Sequence, residues 1–219
     1  MRVVIAGGHG KIAQQTIKAL VPRGDTAIGL VRSHDHVHEL EALGGQAVVL
    51  DLESASVDEL AGHLEGADAV LFAAGAGPDS GPERKDTVDR AGSVLLADAA
   101  EQAGVRRFVQ ISSIGAGEEI PEGTSESFVV YLQAKTAAED DLKARDGLDW
   151  TILRPGSLTD DDASGTVDLR TPPAEHGSVS RADVAGVVVA LLDTPATAGM
   201  TLMLASGHDL VEDAVAALV

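Results

Sequence analysis

The stretch Ala6-Gly7-Gly8-His9-Gly10-Lys11-Ile12-Ala13 lies between a β-like apolar run over 2–6 and a helical pattern over 11–21. It fits G-x-G-x-x-A counted from Gly8, and equally G-x-x-G-x-x-A counted from Gly7. In both interpretations the missing side chains permit a tight turn and a close backbone approach to a pyrophosphate, while the following helix offers unpaired N–H groups and a favourable dipole. A glycine cluster alone could be a plain turn. Its position in the first βα unit favours dinucleotide binding.

Short apolar runs alternate with longer helix-patterned segments along the rest of the chain, which is typical of repeated βαβ units and a parallel sheet. The predicted strands are 2–6, 26–31, 46–50, 68–73, 107–112, 149–154 and 200–204. The predicted helices are 11–21, 36–43, 56–64, 85–103, 129–145, 182–192 and a short one from about Leu210. The sequence therefore predicts the α/β class, as a Rossmann-type doubly wound parallel sheet of about seven strands with helices on both faces.

The chain has 219 residues and 44% hydrophobic content, enough for one substantial core. We expect a single NAD(P)-binding domain over 1–219, with a small substrate-side portion from about 156–178 and the C-terminal elements. The least regular segments, 74–84, 115–127 and 156–178, follow the fourth, fifth and sixth predicted strands. Because ligands bind at the carboxyl edge of such sheets, we expect these loops to set substrate specificity.

Charge and composition limit the partners. A formal charge of -19 opposes binding to nucleic acid or to an anionic membrane. The chain has no cysteine, which excludes disulfides, thiol nucleophiles and thiolate metal sites. A strand begins at once at Arg2, unlike a secretion peptide, and no apolar run is long enough for a bilayer. We expect a cytoplasmic protein, monomeric or homodimeric, that acts on a small molecule.

The end of the second predicted strand bears on the choice of nucleotide. NAD-selective sites place an acidic residue there, whereas this chain has Arg32 and Ser33. A guanidinium suits a 2'-phosphate, so the sequence favours NADP with NAD still possible, although a solvated loop arginine would look the same. After the third strand, Asp51 and Leu52 could hold the adenine edge, or Asp51 could be a turn residue.

The cluster His34-Asp35-His36-Val37-His38 contains ordinary metal ligands. Only His34 and His38 would share a helical face, and no further ligand set is evident. A solvated entrance to the second helix is the favoured interpretation, so we predict no metal site.

The fifth predicted strand and the helix after it carry candidate chemistry. Ser112 and Ser113 follow the strand, and Tyr131 and Lys135 lie four residues apart on one helical face. A nearby ammonium favours phenolate, so the tyrosine can exchange a proton with a carbonyl or an alcohol while the lysine also hydrogen-bonds a nicotinamide ribose. The alternative is a packed tyrosine and a surface lysine.

Taken together, these motifs resemble the atypical short-chain dehydrogenases/reductases with an NAD(P)-binding domain, including the NAD-dependent epimerase/dehydratase-like and NmrA-like members. Further parts of the resemblance are Ala73-Ala74-Gly75, Leu153-Arg154-Pro155-Gly156 and Ser180-Arg181-Ala182-Asp183-Val184-Ala185. The resemblance implies that Ser113, Tyr131 and Lys135 occupy the catalytic positions, with Ser112 a less favoured alternative to Ser113. It implies the following cofactor contacts: Gly7, Gly8, His9, Gly10, Lys11, Ile12, Arg32, Ser33, Asp51, Leu52, Ala73, Ala74, Gly75, Ser112, Lys135, Arg154, Pro155 and Gly156.

The resemblance leaves two functions open. The first is an NADP(H)-dependent oxidoreductase that acts on a small carbonyl or alcohol, in a family whose members are often labelled epimerases. The second is a non-catalytic redox sensor that binds NADP(H) and reports through a partner. Retention of the Ser-Tyr-Lys set favours the enzyme. Only some 65 residues follow Pro155, which makes the substrate domain of the extended epimerases doubtful here.

Overall fold

The apolar run at the start of the chain forms β1 (Arg2–Ala6), a central strand of the sheet. Its side chains alternate between two cores: Val3 and Ile5 pack on one face of the sheet, and Val4 and Ala6 pack on the other. All four are fully buried. Burial on both faces explains why this strand is continuously apolar, as expected for a parallel strand covered by helices on either side.

The computed structural model describes residues 1–77 and 80–219. After β1 its strands are β2 (Thr26–Val31), β3 (Gln46–Val49), β4 (Ala69–Phe72), β5 (Arg107–Ile111), β6 (Asp149–Pro155), β7 (Ser157–Thr159), β8 (Thr166–Arg170), β9 (Ser178–Ser180), β10 (Met200–Ser206) and β11 (Asp209–Leu210). Nine of these form one sheet in the order β11-β8-β10-β6-β5-β4-β1-β2-β3, and β7 pairs with β9 in a separate parallel ribbon. The chain reverses its winding between β1 and β4, which creates a crevice at their carboxyl ends.

The helices are α1 (Lys11–Leu20), α2 (Val37–Ala42), α3 (Val57–Leu64), α4 (Pro82–Arg84), α5 (Gly92–Ala103), α6 (Glu126–Lys143), α7 (Arg181–Leu192) and α8 (Val211–Ala216). A π-helical stretch, Lys85–Ala91, joins α4 to α5. Single 3-10 turns occur at Val21–Arg23, His34–His36 and Pro195–Thr197. Apolar residues of α1, α7 and α8 join the core on one face of the sheet, and those of α3 and α5 join the core on the other.

All seven predicted strands are present, but the sheet has nine strands rather than about seven. The two additional strands are β8 and the two-residue β11. The segment 156–178, which was predicted to be irregular, contains β8, and it also holds β7 and the start of β9, which pair in the separate ribbon. In β8, Val167 and Leu169 are buried while their neighbours are more exposed. This strand runs antiparallel to β10 and β11, so the sheet is mostly rather than wholly parallel. Val167 and Leu169 alone form too short an alternating pattern for β8 to be recognised as a strand from the sequence.

Ser180 and Asp183 belong to one of the motifs behind the family resemblance, and the structure gives them a structural role. Ser180 caps α7 by accepting a hydrogen bond from the Asp183 N–H at 2.9 Å. The Asp183 carboxylate accepts from the N–H groups of Ser164 and Gly165, which anchors the segment before β8.

Two further expectations from the sequence concern membrane-spanning helices and the loop 74–84. No helix within 1–77 and 80–219 combines the length and apolar character needed to cross a membrane. The predicted ligand loop 74–84 is seen only in part, since Pro78 and Asp79 lie outside the described residues.

Candidate functional site

Two adjoining cavities follow the carboxyl edge of the sheet at the β1–β4 crevice. The first encloses about 240 Å³ and the second about 530 Å³. Ala73, Ala74 and Gly75, which follow β4, line both cavities. The two therefore form one groove across the switch point, which is where this type of sheet binds elongated ligands.

The three glycines of the first loop have separate roles. Gly7 has φ +79°, a left-handed conformation, and a Cβ there would lie 2.6 Å from Ala74 Cα. Gly8 packs against β2, where a Cβ would lie 2.5 Å from Gly29 Cα. Gly10 precedes α1 and is exposed, and a Cβ there would meet only backbone oxygens at 3.2 and 3.7 Å. Gly7 and Gly8 therefore hold the loop against the sheet, whereas Gly10 keeps the groove open.

The start of α1 is suited to an anion. Gly10 is its N-cap residue, no side chain caps the helix, and its first turn carries no acidic residue. Its first N–H groups are thus available to the groove that Gly7, His9 and Gly10 line. These features fit the pyrophosphate of a nicotinamide dinucleotide.

Lys11 and Ile12, at the start of α1, differ in their placement. Ile12 lines the larger cavity. The Lys11 side chain is 67% exposed and pairs with Asp160, which also binds Arg181 at 2.7 Å. Lys11 thus links α1 to the segment after β7 and lines neither cavity among the described residues.

The smaller cavity carries opposing charges. Arg32, at the end of β2, shares its lining with Asp51 and Glu53 from the segment after β3 and with Arg84 from α4. Arg84 binds the Glu53 carboxylate at 2.7 and 3.2 Å, and this contact, with a hydrogen bond from Thr87, holds the pKa of Glu53 below its usual value. Glu53 is therefore already neutralised by Arg84.

Ser33 and Leu52 are the other residues predicted at this end. Leu52 lines the smaller cavity beside Asp51. Ser33 instead caps the 3-10 turn by accepting a hydrogen bond from the Asp35 N–H at 3.2 Å. Ser33 therefore shapes the loop that carries Arg32.

His9 and His36 stack with ring centroids 3.6 Å apart and an interplanar angle of 3°. Both line the smaller cavity. His36 Nδ1 is buried and has no hydrogen-bond partner within 1–77 and 80–219. In the same described residues no group of three His, Asp or Glu is arranged to hold a metal ion. Of the His34–His38 cluster, His36 is the residue whose ring lines the smaller cavity.

The larger cavity contains the predicted tyrosine and lysine. Both Tyr131 and Lys135 line it, and Lys135 Nζ lies 5.8 Å from the centroid of the Tyr131 ring. Phe128 stacks on Tyr131 at 5.7 Å and is 46% exposed, so it forms an apolar wall at the rim. Tyr131 and Lys135 therefore lie in the part of the groove that adjoins the glycine loop's cavity, which we call the dinucleotide-type groove.

Lys135 has a buried counter-ion that sequence reasoning missed. Its Nζ lies 3.0 Å from Asp89 Oδ1, and both side chains are at most 5% exposed. Asp89 Oδ2 accepts a hydrogen bond from the Ala76 N–H at 3.0 Å. Burial opposes the charged form of Lys135, but Tyr131 and Asp89 beside it raise the pKa of Lys135 above its usual value. Lys135 is held as an ammonium.

The two serines after β5 differ in position. Ser112 lines the larger cavity, and its hydroxyl donates to Glu139 Oε1 at 2.6 Å. The Ser113 hydroxyl donates to the Ile114 carbonyl at 3.1 Å, and Ser113 is not among the described residues that line either cavity. Ser112, the first residue after β5, therefore lines the same cavity as Tyr131 and Lys135, whereas Ser113 does not.

Glu139 organises a buried polar cluster behind the larger cavity. Arg154 binds its two oxygens at 2.9 and 2.5 Å, and Lys143 binds at 2.9 Å. Burial opposes ionisation of Glu139, but the hydrogen bonds from Arg154, Ser112 and Lys143 hold the pKa of Glu139 below its usual value. The cluster fixes the orientation of Ser112.

Arg154, Pro155 and Gly156 were predicted as cofactor contacts from the family resemblance. In the described part of the chain none of them lines either cavity. Arg154 is held by Glu139, and Gly156 lies against Gly177, where a Cβ would come within 2.1 Å of the Gly177 oxygen. Leu158, two residues beyond Gly156, is the residue of this segment that reaches the larger cavity.

Sequence reasoning missed Arg84, Lys85, Asp89 and Glu139. Glu139 continues the i, i+4 spacing of Tyr131 and Lys135, so the spacing on α6 could have found it. Lys85 and Asp89 are also four residues apart, on a segment predicted to be helical. For Arg84, no comparable signal exists, because its partner Glu53 is distant in sequence.

The comparisons with known proteins agree with this geometry. A family model described as NAD(P)H-binding matches residues 7–195. The uncharacterized sugar epimerase YhfK of Bacillus subtilis is 34% identical over 216 residues, covering 98% of this chain and 99% of that protein. A Bacillus halodurans structure provisionally named an NAD-dependent epimerase/dehydratase is 32% identical, with 99% of each chain covered and a TM-score of 0.90. The oxidoreductase ylbE of Lactococcus lactis is 28% identical, with 100% and 96% covered and a TM-score of 0.88.

Proposed function

Since this chain belongs to the NAD(P)H-binding, atypical short-chain dehydrogenase/reductase family, we propose that it is an NADP(H)-dependent oxidoreductase that reduces a carbonyl group of a small substrate. The observation that carries the proposal is the meeting of Tyr131 with the buried Lys135–Asp89 pair in a cavity continuous with the dinucleotide-type groove. The reverse reaction, oxidation of the alcohol, uses the same groups.

The reduced nicotinamide, when bound, supplies the hydride that the carbonyl carbon accepts. The carbonyl oxygen needs a proton at the same time, and Tyr131, which lines the larger cavity, has a hydroxyl suited to donate it. Ser112 is less suited to this step because its one hydrogen is donated to Glu139. Its oxygen keeps lone pairs that can accept from Tyr131 or from the product alcohol.

Lys135 serves the same step through charge. A buried ammonium 5.8 Å from the Tyr131 ring stabilises the phenolate left after proton donation. Asp89 keeps the ammonium in place and balances its charge, which reduces the cost of burying it. Solvent then returns the proton to Tyr131, whose side chain is only partly buried.

The preference for NADP rests on Arg32. Because Arg84 is bound to Glu53, Arg32 is left as the guanidinium available to a 2'-phosphate at this end of the groove. His36, whose ring stacks on His9, lines the same cavity as Arg32. The carboxylate of Asp51 is suited to ribose hydroxyls or adenine.

The names of the relatives support a redox role without defining it. One neighbour is called an oxidoreductase and two relatives are called epimerases, one of them NAD-dependent.

The experiment that tests this function has two measurements on the purified protein. Titration with NADPH and NADH measures whether a dinucleotide binds and which is preferred. Loss of NADPH absorbance is then followed with a panel of small aldehydes, ketones and quinones. We expect tighter binding of NADPH and turnover with part of the panel. A protein that binds NADPH and oxidises it with no member of a broad panel would contradict the reductase and favour a sensor.

A further inference from the structure

The cavity that holds Tyr131 contains a second lysine, Lys85, which the proposed reaction does not use. Its side chain is 4% exposed and lines the cavity, with Nζ 5.9 Å from the centroid of the Tyr131 ring. It is the first residue of the π-helical stretch Lys85–Ala91. Single π-helical turns occur frequently at functional sites because they redirect side chains.

Lys85 has no protein counter-charge within 1–77 and 80–219. Asp89 lies four residues later, a spacing that pairs charges in an α-helix, but this stretch is π-helical. The Asp89 carboxylate is instead occupied by Lys135 at 3.0 Å and by the Ala76 N–H at 3.0 Å. Since Lys85 lines the cavity and pairs with no described carboxylate, an anionic ligand in the cavity would find an ammonium that no described residue occupies.

The charge around the cavity defines that partner. Its described lining contains two ammonium groups, Lys85 and Lys135, and one carboxylate, Asp89, which leaves one uncompensated positive charge. The chain as a whole carries -19, so this local excess runs against the general character of the protein. A single excess charge matches a monoanion such as a carboxylate.

The anionic groups of the cofactor are accommodated elsewhere. The open N-terminus of α1 and Arg32 both border the smaller cavity, while Lys85 lines only the larger one. Phe128 and Leu158 line the same cavity as Lys85 and supply apolar surface. This leaves room for a planar or apolar body that carries the anion.

We propose that Lys85 binds a carboxylate of the substrate, so that the preferred substrates are small carbonyl compounds with a carboxylate on an apolar body. This inference rests on the proposed carbonyl reductase function for its kinetic test and not for its binding test. Lys85 would fix the carboxylate while Tyr131 meets the carbonyl oxygen, which orients the substrate at two points.

The binding test uses calorimetry on protein saturated with NADP⁺, with benzoate and benzamide as probes of equal shape. We expect benzoate to bind about 10- to 100-fold more tightly than benzamide, the usual size of a charge-assisted contact. Lys85→Met should abolish the difference, Lys85→Arg should retain most of it, and Lys18→Met, a change at an exposed lysine, should have no effect. The parent comparison alone decides the proposal if a variant fails to fold: equal affinity for the two probes overturns it.

The kinetic test compares 4-formylbenzoate with its methyl ester, which present the same aldehyde. We expect the parent to favour the free acid in kcat/KM and Lys85→Met to lose about 10- to 100-fold of that preference, mainly through KM. NADPH affinity should be unchanged in Lys85→Met; an equal loss of NADPH affinity would assign Lys85 to the cofactor and overturn the proposal. Discrimination between benzoate and benzamide without turnover of any aldehyde would support the carboxylate site and contradict the reductase.

Discussion

The ammonium of Lys135 lies 3.0 Å from the carboxylate of Asp89, with both side chains almost completely buried. The two residues come from different elements, α6 and the π-helical stretch before α5, so the pair ties those elements together beneath the larger cavity. Removing one partner would leave the other charge buried and uncompensated. That cost is typically several kcal/mol, larger than the net worth of the pair.

Asp89→Asn should therefore lower the free energy of unfolding by about 3–5 kcal/mol near neutral pH. The pKa of Lys135 is raised in the folded protein, so its stabilising contribution is complete below the usual value of 10.5 and is lost as pH rises through the folded pKa. The stability difference between parent and Asp89→Asn should accordingly shrink above pH 10.5. Urea denaturation over a pH series measures it. Asp86→Asn, which removes an exposed ion pair, is the control; a difference that grows with alkaline pH would contradict the assignment.

Tyr131→Phe should leave NADPH affinity nearly unchanged and reduce carbonyl turnover by about 10²–10⁴-fold, the usual contribution of a positioned acid. The ring still stacks on Phe128, and the Lys135–Asp89 pair is untouched. Lys135→Ala should weaken both binding and turnover. Steady-state kinetics with parallel nucleotide titration separate the two effects. A substrate reduced equally fast by parent and Tyr131→Phe would remove Tyr131 from the proton transfer.

Gly10→Val and Gly8→Ala should fail in different ways. At Gly10 the added side chain projects toward the groove with little backbone conflict, so folding should survive while nucleotide affinity falls about 100-fold or more. At Gly8 a Cβ would lie 2.5 Å from Gly29 Cα, so the strand contact must open and unfolding free energy should fall by about 1–3 kcal/mol. Circular dichroism and nucleotide titration distinguish these results. Near-parent affinity in Gly10→Val would mean that the loop is only a turn.

Arg32→Ala should weaken NADPH binding by about 1.5 kcal/mol, roughly tenfold, and leave NADH binding nearly unchanged. The lower end of the usual range is expected because Arg32 is exposed. Arg106→Ala, at an exposed arginine paired with Asp149 away from both cavities, is the matched control. Equal affinities of the parent protein for NADPH and NADH would contradict the assignment of Arg32.

The repeating strand and helix pattern made much of this fold predictable, because each buried parallel strand is a continuous apolar run. The small strands within 156–178 were not, since β8 has only two inward residues and becomes a strand by pairing with β10. In the candidate site, the glycine loop and the Tyr131–Lys135 spacing were visible because they are local. Their partners were not, since the Asp89–Lys135 pair and the Glu139–Arg154 contact join residues that meet only after folding.

The π-helical stretch Lys85–Ala91 makes the position of Lys85 depend on chain length as well as on residue type. The Gly92 N–H bonds to the carbonyl of Thr87, five residues earlier rather than four. Deleting one residue there would restore ordinary α-helical phase and turn the helical residues before the deletion by about 100° relative to α5, one residue's share of a turn. Lys85 would leave the cavity, while Tyr131 and Lys135 on α6 would keep their places. A single-codon deletion could therefore exchange a charged substrate pocket for a neutral one without any substitution on α6.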